Sequence, residues 1–283
     1  MKRLTPSDLD YALNPPITCK ISATEDKPIR VDPGRPGPAV PSVDDSLGTK
    51  LLPFVLSVIA GSVDIIGLLG LGGLFTAHIT GNIVVLAAKL VVGQQAPLSH
   101  LISVPVFMVV LALTRLLVAG LERIAVASLV PLLLLQFLLL LAYFTVSVAN
   151  GPGIDPSAAI MILAAMSGVA AMAVQNEVAR VSLSGAPSTA VMTTNVTLVA
   201  IDVGEILFGR NAGNSVKARA RAKHTWPAIV GFLIGCALGA ACESAFGLRA
   251  LVLPAGFALL ALAMAMAVRV HTSKGGLNER HQN

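Results

Sequence analysis

Charge is scarce in this chain. Asp, Glu, Lys and Arg make up 12% of its 283 residues and hydrophobic residues 55%, whereas globular domains carry about 25% charged residues. Most of the charges crowd into residues 1–50, residues 209–225 and the C-terminal tail, with long apolar runs between them. Because water does not tolerate so much exposed apolar surface, the composition excludes an ordinary soluble domain. It predicts an integral membrane protein whose apolar side chains face lipid.

Cysteine and catalytic motifs are equally scarce. Cys19, Cys236 and Cys242 are an odd number without paired spacing, so they indicate neither a disulfide framework nor a zinc site. The motifs GxxxxGK[ST], HExxH and GxSxG are absent. We therefore expect no enzymatic activity, no cofactor and no metal. Lys and Arg collect at membrane flanks for topological reasons, so the net charge of +5 does not indicate a nucleic-acid partner.

The chain divides into three parts by polarity. Residues 1–50 are polar and rich in proline, and such a segment cannot bury enough apolar area to offset the entropy of ordering it. We predict a disordered cytoplasmic arm there, with no cleavable signal before residue 51. A transmembrane domain follows at 51–272, and residues 273–283 form a cytoplasmic tail.

Eight apolar stretches lie in the transmembrane domain, and each approaches the roughly 20 residues that a helix needs to cross a bilayer. Backbone polar groups in lipid must be satisfied within their own segment, and the alternation typical of barrel strands is absent. The sequence therefore predicts an all-α membrane protein. The stretches are 51–71, 74–92, 101–120, 125–148, 157–179, 188–208, 226–246 and 249–270.

Two of these stretches are polar at their start and apolar afterwards. Residues 72–92 open with two glycines, and residues 187–208 open with a proline. This composition is typical of a broken or re-entrant helix, which needs protein or a cavity around it. The polar residues are Thr76, His78, Thr80, Gly81 and Asn82 in the first stretch, and Ser188, Thr189, Thr193, Thr194, Asn195 and Thr197 in the second.

The two broken stretches also resemble each other. Residues 76–82 align with residues 189–195, with Thr, Ala, Thr and Asn identical, and the same register brings Asp64 opposite Glu177. Each half, about 51–148 and 157–270, then has the order helix, broken segment, helix, helix. This order predicts two inverted-repeat halves, and substrate sites commonly lie where such broken segments meet.

The positions of Lys and Arg favour six spanning helices plus two re-entrant segments. In this arrangement both termini and the basic loop 209–225 are cytoplasmic, the loop 149–156 is outside, and only Lys89 and Arg249 break the positive-inside rule. We therefore expect a protein of the cytoplasmic (inner) membrane. The alternative is eight full spans, which would place Arg115, Arg123 and Arg180 outside.

Four motifs carry a resemblance to a known family. They are Gly61-Ser62-Val63-Asp64, the segment 75–82 with its string Thr-Ala-His-Ile-Thr-Gly-Asn, Val174-Gln175-Asn176, and the segment 192–197. They resemble the YoaK-type family of bacterial multi-pass membrane proteins of uncharacterised function, over about residues 50–272. The chain departs from the family pattern at Thr194, where Gly is expected, and at Glu177, where a small residue is usual. The resemblance implies a membrane protein and supplies no established substrate or catalytic residue.

The candidate solute-binding residues have two interpretations. A carboxylate at depth in a span is costly unless it is paired or hydrated, so function is the default hypothesis for Asp64; the alternative is that it fixes helix packing. The polar strings either line a constriction or satisfy backbone groups freed by the helix break. The candidate residues are Asp64, Thr76, His78, Thr80, Gly81, Asn82, Glu177, Thr193, Thr194 and Asn195.

Polar and small residues elsewhere have simpler interpretations. Glu177 fits a solvated cluster at a helix end, paired with Arg180 one turn on, while Arg115 either snorkels or meets a carboxylate. Asp202 either faces a cytoplasmic mouth or pairs with the basic loop. The run Gly231, Gly235 and Gly239 permits close helix packing, within the chain or between copies in a homo-oligomer.

Two functional hypotheses follow. The first is a secondary transporter or facilitator of a small-molecule or ion solute, in which the two polar strings contact the solute and Asp64 responds to a coupling proton. The second is a membrane scaffold or sensor, in which the polar strings only lock helices together and the arm or the basic loop binds a partner. An intramembrane enzyme is the weakest hypothesis, because no nucleophile–base set is visible.

Topology has a direct test by cysteine labelling. In a variant lacking the native cysteines, Pro152→Cys should react with a membrane-impermeant maleimide added from outside, because the six-span arrangement places the loop 149–156 there. Labelling only after the membrane is permeabilised would favour eight spans.

Overall fold

The apolar stretches fold into helices in this computed structural model, which describes residues 47–94, 97–150, 155, 157–181, 192–209 and 212–280. Within these ranges the chain has eight α-helices, one 3-10 turn at Gly247–Leu251 and no strand. The helices are α1 Leu47–Gly70, α2 Ile79–Val91, α3 Leu98–Arg123, α4 Leu129–Ala149, α5 Ala159–Val181, α6 Met192–Phe208, α7 Ala212–Phe246 and α8 Val252–Arg280.

Five helical stretches are long and apolar enough to cross a membrane, and the last, Gly213–Val268, runs through α7, the 3-10 turn and α8. The prediction of an all-helical membrane protein is confirmed at this level. Helix α2 is different, because its 13 residues rise roughly 20 Å, whereas the hydrocarbon core is about 30 Å thick. By length alone α2 does not span the bilayer.

One predicted element, the basic loop, needs a correction, and parts of the two terminal segments can be described. The basic segment expected as a loop is helical from Ala212 onward and continues into the apolar part of α7, because Lys, Arg and Ala are strong helix formers. The predicted tail is helical as far as Arg280. The predicted disordered arm lies outside the described residues except for 47–50, which belong to α1.

Helices α1 and α5 form the centre of the bundle. Most of the apolar length of both is buried, whereas less than a third of that of α3 and α4 is buried, and α3 exposes apolar side chains such as Met108, Val109 and Leu116. In the first half α1 packs on α7 and α8, and α2 packs on α3. In the second half α5 packs on α3 and α4, and α6 packs on α7, while α4 also meets α8 and α1 meets α5.

The glycines of α7 lie directly against α1. A methyl group added at Gly235 would lie 2.3 Å from the Val58 carbonyl oxygen, and one at Gly231 would lie 2.7 Å from the Phe54 carbonyl oxygen. Small residues let two helix backbones approach in this way. The predicted close packing therefore occurs within the chain, and a homo-oligomer built on the face of Gly231, Gly235 and Gly239 would have to displace α1.

Gly235→Ala should destabilise the protein. The added methyl group meets backbone atoms, which cannot rotate away, so the two helices must separate at a cost of about 1–3 kcal/mol. Gly256→Ala in α8 is the matched control, because nothing lies within 4 Å of its added methyl group. Thermal unfolding of the purified variants in detergent should show a lower Tm for Gly235→Ala alone; equal Tm values would contradict the close contact.

Candidate functional site

Asp64 lies six residues before the end of α1 and faces the break that follows. The chain leaves the helix through Gly72 and Gly73, whose φ angles of +66° and +93° suit glycine, and turns back toward the bundle. The Asp64 carboxylate, 3% exposed, accepts hydrogen bonds from the backbone N–H groups of Thr76 at 2.8 Å and Ala77 at 2.6 Å. A carboxylate inside α1 therefore satisfies the backbone groups that the break releases.

His78 completes this cluster at the N-terminus of α2. Its Nδ1 lies 2.5 Å from Asp64 Oδ2, and its backbone N–H donates to the same oxygen at 3.2 Å. The imidazole is about one-third exposed and makes edge contacts with the rings of Phe75 and Phe232. Free N–H groups and the helix dipole both favour an anion at this point, so α2 directs its positive end at Asp64.

Asn82 holds the other side of the break. Its Oδ1 accepts the Phe75 N–H at 2.8 Å, and its Nδ2 donates to the Phe75 carbonyl at 2.7 Å and to Ser103 Oγ at 3.0 Å. Gly81 lies against the Phe75 ring, and Thr80 is exposed. Asn82 is thus fully buried and bound to backbone.

Glu177 lies in a second cluster, between α5 and α3. It is 3% exposed and its Oε1 accepts a hydrogen bond from Arg115 Nη1 at 3.1 Å. The interpretation of Glu177 as a solvated residue paired with Arg180 is therefore wrong. Glu177 is buried, and it pairs with Arg115, which lies 62 residues away in the sequence. Arg115, Glu122, Glu177 and Arg180 line a cleft of about 650 Å³.

The second polar string is only partly described, because residues 182–191 fall outside the described ranges. Asn195 is buried in the first turn of α6, with its Nδ2 3.9 Å from Met192 Sδ. Thr193 and Thr194 are exposed on the same turn. Further along α6, Asp202 is buried and accepts hydrogen bonds from Arg221 of α7 at 2.5 and 3.1 Å. Asp202 therefore pairs with the basic segment.

A family model described as a protein of unknown function (DUF1275) matches residues 52–265, which cover both clusters and all the helices except the ends of α1 and α8. The chain belongs to the DUF1275 family. No curated protein and no solved structure matches the chain significantly. Within the described part of the DUF1275 region, no three His, Cys, Asp or Glu side chains are grouped so as to hold a metal ion.

The DUF1275 region also contains buried polar residues that the sequence analysis did not select. Gln136 of α4 donates to Gln175 Oε1 at 2.7 Å, and Gln175 donates to the Leu56 carbonyl of α1 at 2.9 Å. Tyr143 of α4 is also fully buried. Gln136 and Tyr143 interrupt a stretch that is otherwise almost wholly apolar, and a polar residue inside a span is itself a signal of a buried contact.

Asn82→Ala should strongly destabilise the protein. The substitution leaves the Phe75 N–H and carbonyl without their side-chain partner in a site that excludes water, and each buried unsatisfied group costs about 1–3 kcal/mol. Thr80→Ala, two residues away and exposed, is the control. Thermal unfolding followed by size-exclusion chromatography should show a lower Tm and more aggregate for Asn82→Ala only. Normal behaviour of that variant would contradict the backbone role.

Proposed function

We propose that the protein is a secondary transporter or facilitator of a small solute or ion in the cytoplasmic membrane. The proposal involves binding and movement of a solute rather than catalysis. It includes two inverted-repeat halves, six spanning helices and two re-entrant segments, with both termini cytoplasmic. We also propose YoaK-type membership within the DUF1275 family, on the motifs that carry that resemblance.

The packing of the helices supports two equivalent halves. If α1 to α4 correspond to α5 to α8, the pair α1–α7 corresponds to α5–α3, and α1–α8 corresponds to α5–α4. The pair α2–α3 likewise corresponds to α6–α7, while α1–α5 and α4–α8 each correspond to themselves. A two-fold relation between the halves requires this exchange of partners, and inverted repeats in transporters have such a relation.

The first broken segment supports re-entry rather than a full crossing. Helix α2 begins at the level of Asp64 inside the bundle, and Lys89 near its other end donates to the Gly72 carbonyl at 2.5 Å. A contact between the two ends of the segment is expected if the segment enters and returns on one side of the membrane. In this arrangement the contact would also account for Lys89, which breaks the positive-inside rule, because its charge is bound by a backbone carbonyl.

One observation carries the proposal: a buried carboxylate occupies the same register in both halves, and each is paired with a cationic or ionisable partner. Asp64 meets His78, and Glu177 meets Arg115. Ionisable groups within a membrane are costly and usually mark pathways for solutes or protons. The cleft beside Glu177 has a volume suited to a small molecule.

The proposed roles follow from the surroundings of each carboxylate. The Asp64–His78 pair is the proton-responsive group, because histidine is the side chain whose ordinary pKa lies nearest neutral pH and His78 is partly exposed. Glu177 and Arg115 hold the two sides of the cleft between α3 and α5, so a solute in the cleft competes for their charges. The proposed solute contacts otherwise remain Thr76, Thr80, Gly81, Asn82, Thr193, Thr194 and Asn195.

A second candidate, a membrane scaffold or sensor, is favoured by the hydrogen bonds of Asn82 and Asp64. The side-chain oxygen and nitrogen of Asn82 are both bound to the Phe75 backbone, and Asp64 Oδ1 accepts two backbone N–H groups. Such groups need no solute to satisfy them. In this alternative the exposed basic part of α7 binds a partner.

A thermal-shift screen separates the two functions. Purified protein would be heated with separate amino acids, carboxylates, sugars and monovalent cations, because a ligand that prefers the native state raises the apparent Tm. We expect a compound that raises the Tm of the wild type. The same compound should raise the Tm of Asp64→Asn and of Glu177→Gln by no more than about a third as much. Asp155→Asn is the control, since Asp155 is an exposed carboxylate in the segment between α4 and α5.

The same compound should then enter proteoliposomes containing the wild type and Asp155→Asn faster than liposomes containing either of the other variants. The scaffold explains the two carboxylates better if no compound raises the Tm of the wild type and the substitutions Asp64→Asn and Glu177→Gln only lower the Tm of the protein.

A further inference from the structure

The lining of the cleft between α3 and α5 changes from apolar to charged along α3. Its apolar residues on this helix are Met108, Leu111 and Ala112, and its charged residues, Arg115 and Glu122, follow them. A helix rises 1.5 Å per residue, so roughly 10 Å separate the levels of Met108 and Arg115. The cleft therefore has an apolar end toward the middle of α3 and a charged end toward its C-terminus.

Glu177 presents an acceptor to the charged end of the cleft. Its side chain lines the cleft although the residue is only 3% exposed. Oε1 accepts the hydrogen bond from Arg115, whereas Oε2 accepts none from the described part of the chain. Oε2 is also not among the fully enclosed polar atoms of that part, so this oxygen opens onto the cleft. A ligand that donates to Oε2 would satisfy a charged group that is costly to leave without a donor.

Arginine donors line the same end of the cleft. Arg115 uses Nη1 for Glu177, and a guanidinium has five N–H donors, so further donors remain. Arg180 also lines the cleft, and its side chain has no ion pair or hydrogen bond among the residues that the structure describes. Guanidinium groups bind carboxylate and phosphate groups through paired hydrogen bonds. The charged end can therefore hold an anionic group as well as a cationic one.

The charges that line the described part of the cleft cancel. Arg115 and Arg180 are cations, and Glu122 and Glu177 are anions. A simple anion would be repelled by the carboxylates, and a simple cation by the guanidinium groups. A zwitterion meets a charge of opposite sign at each of its own charged groups. An α-amino acid carries its ammonium and carboxylate on one carbon atom, so it can meet Glu177 and Arg115, whose charged atoms lie 3.1 Å apart.

We propose that the cleft binds a zwitterion with an apolar side group. Its ammonium group lies at Glu177 Oε2, its anionic group at Arg115 and Arg180, and its apolar part beside Met108 and Leu111. Two sources share this chemistry: a free aliphatic α-amino acid, and the ethanolamine headgroup of a phospholipid. The volume of about 650 Å³ is within the range of small-molecule sites. The further role of a free amino acid as the transported solute rests on the proposed transporter.

L-Leucine and two analogues that each lack one charged group test the preference for a zwitterion. The analogue 4-methylpentanoate lacks the ammonium group, and 3-methylbutylamine lacks the carboxylate. Isothermal titration of the full-length protein in nanodiscs of phosphatidylglycerol would give the three affinities. We expect leucine to bind at least about tenfold more tightly than either analogue, because each analogue leaves a charged side chain of the cleft without its partner.

A second set of nanodiscs, containing phosphatidylethanolamine and phosphatidylglycerol in equal amounts, distinguishes the two sources. A leucine affinity that is the same in both sets identifies the free amino acid. The headgroup is identified if phosphatidylethanolamine abolishes leucine binding, or if it raises the Tm of the wild type but not of Arg180→Gln. The proposal is overturned if leucine binds no more tightly than its analogues and phosphatidylethanolamine changes the Tm of both proteins equally.

Substitutions locate the site where leucine binds. Glu177→Gln and Arg180→Gln should each weaken leucine binding at least about tenfold, because each removes one of the charges that hold the zwitterion. Arg123→Gln is the control, since Arg123 is an exposed arginine at the end of α3 that does not line the described cleft. Arg180 is itself exposed, so Arg180→Gln should fold even if Glu177→Gln does not. Full leucine affinity in Arg180→Gln would overturn the assignment of the site.

Uptake into proteoliposomes separates this proposal from the proposed transporter. Leucine binding without leucine uptake would support the zwitterion site and contradict the transporter. Uptake of a different solute, with neither a preference for leucine nor a selective effect of phosphatidylethanolamine, would overturn the zwitterion site and support the transporter.

Discussion

A helix that breaks inside a bilayer releases backbone N–H and carbonyl groups where no bulk water can bind them, and this constraint organises the first half of the molecule. Asp64 of α1 and Asn82 of α2 form hydrogen bonds with these backbone groups. Asp64 accepts hydrogen bonds from the backbone N–H groups of residues 76–78. Asn82 binds both the backbone N–H and the carbonyl of Phe75. The loop between α1 and α2 is therefore held by two side chains that local sequence places on either side of it.

The hydrogen bonds of Asp64 and Asn82 also determine how the neighbouring helices are placed. Because the carboxylate is met at the N-terminus of α2, that helix points its positive end into the bundle, and Lys89 near its other end binds the Gly72 carbonyl. Asn82 also reaches Ser103, which ties the break to α3. On α5 another buried carboxylate, Glu177, accepts a hydrogen bond from Arg115 of α3. The Arg115 side chain is 62% exposed, so its long apolar stem lets the guanidinium reach a buried acceptor while most of the side chain stays accessible.

The sequence predicted the parts of this structure that depend on local chemistry. Hydrophobic length located the helices, and Gly72-Gly73 followed by a polar string located the break to within a few residues. It did not predict the partner of Glu177, the Gln136–Gln175 bond or the burial of Tyr143 against Gly168, because each joins residues that are far apart in the sequence. The helical start of α7 was missed for another reason: charge suggested a loop, although Lys, Arg and Ala favour a helix.

The structural and transport interpretations of Asp64 need not compete. Hydrogen bonds to a charged acceptor are roughly twice as strong as neutral ones, so the loop is held firmly only while the carboxylate is ionised or shares a proton with His78. A proton placed on Asp64 would weaken its bonds to Thr76 and Ala77 together, and would leave their N–H groups poorly satisfied in a dry site. The loop, and α2 with it, would then be held less firmly in this position. In the proposed transporter, a residue that closes a helix break through its charge would thereby link the protonation of the site to the position of α2.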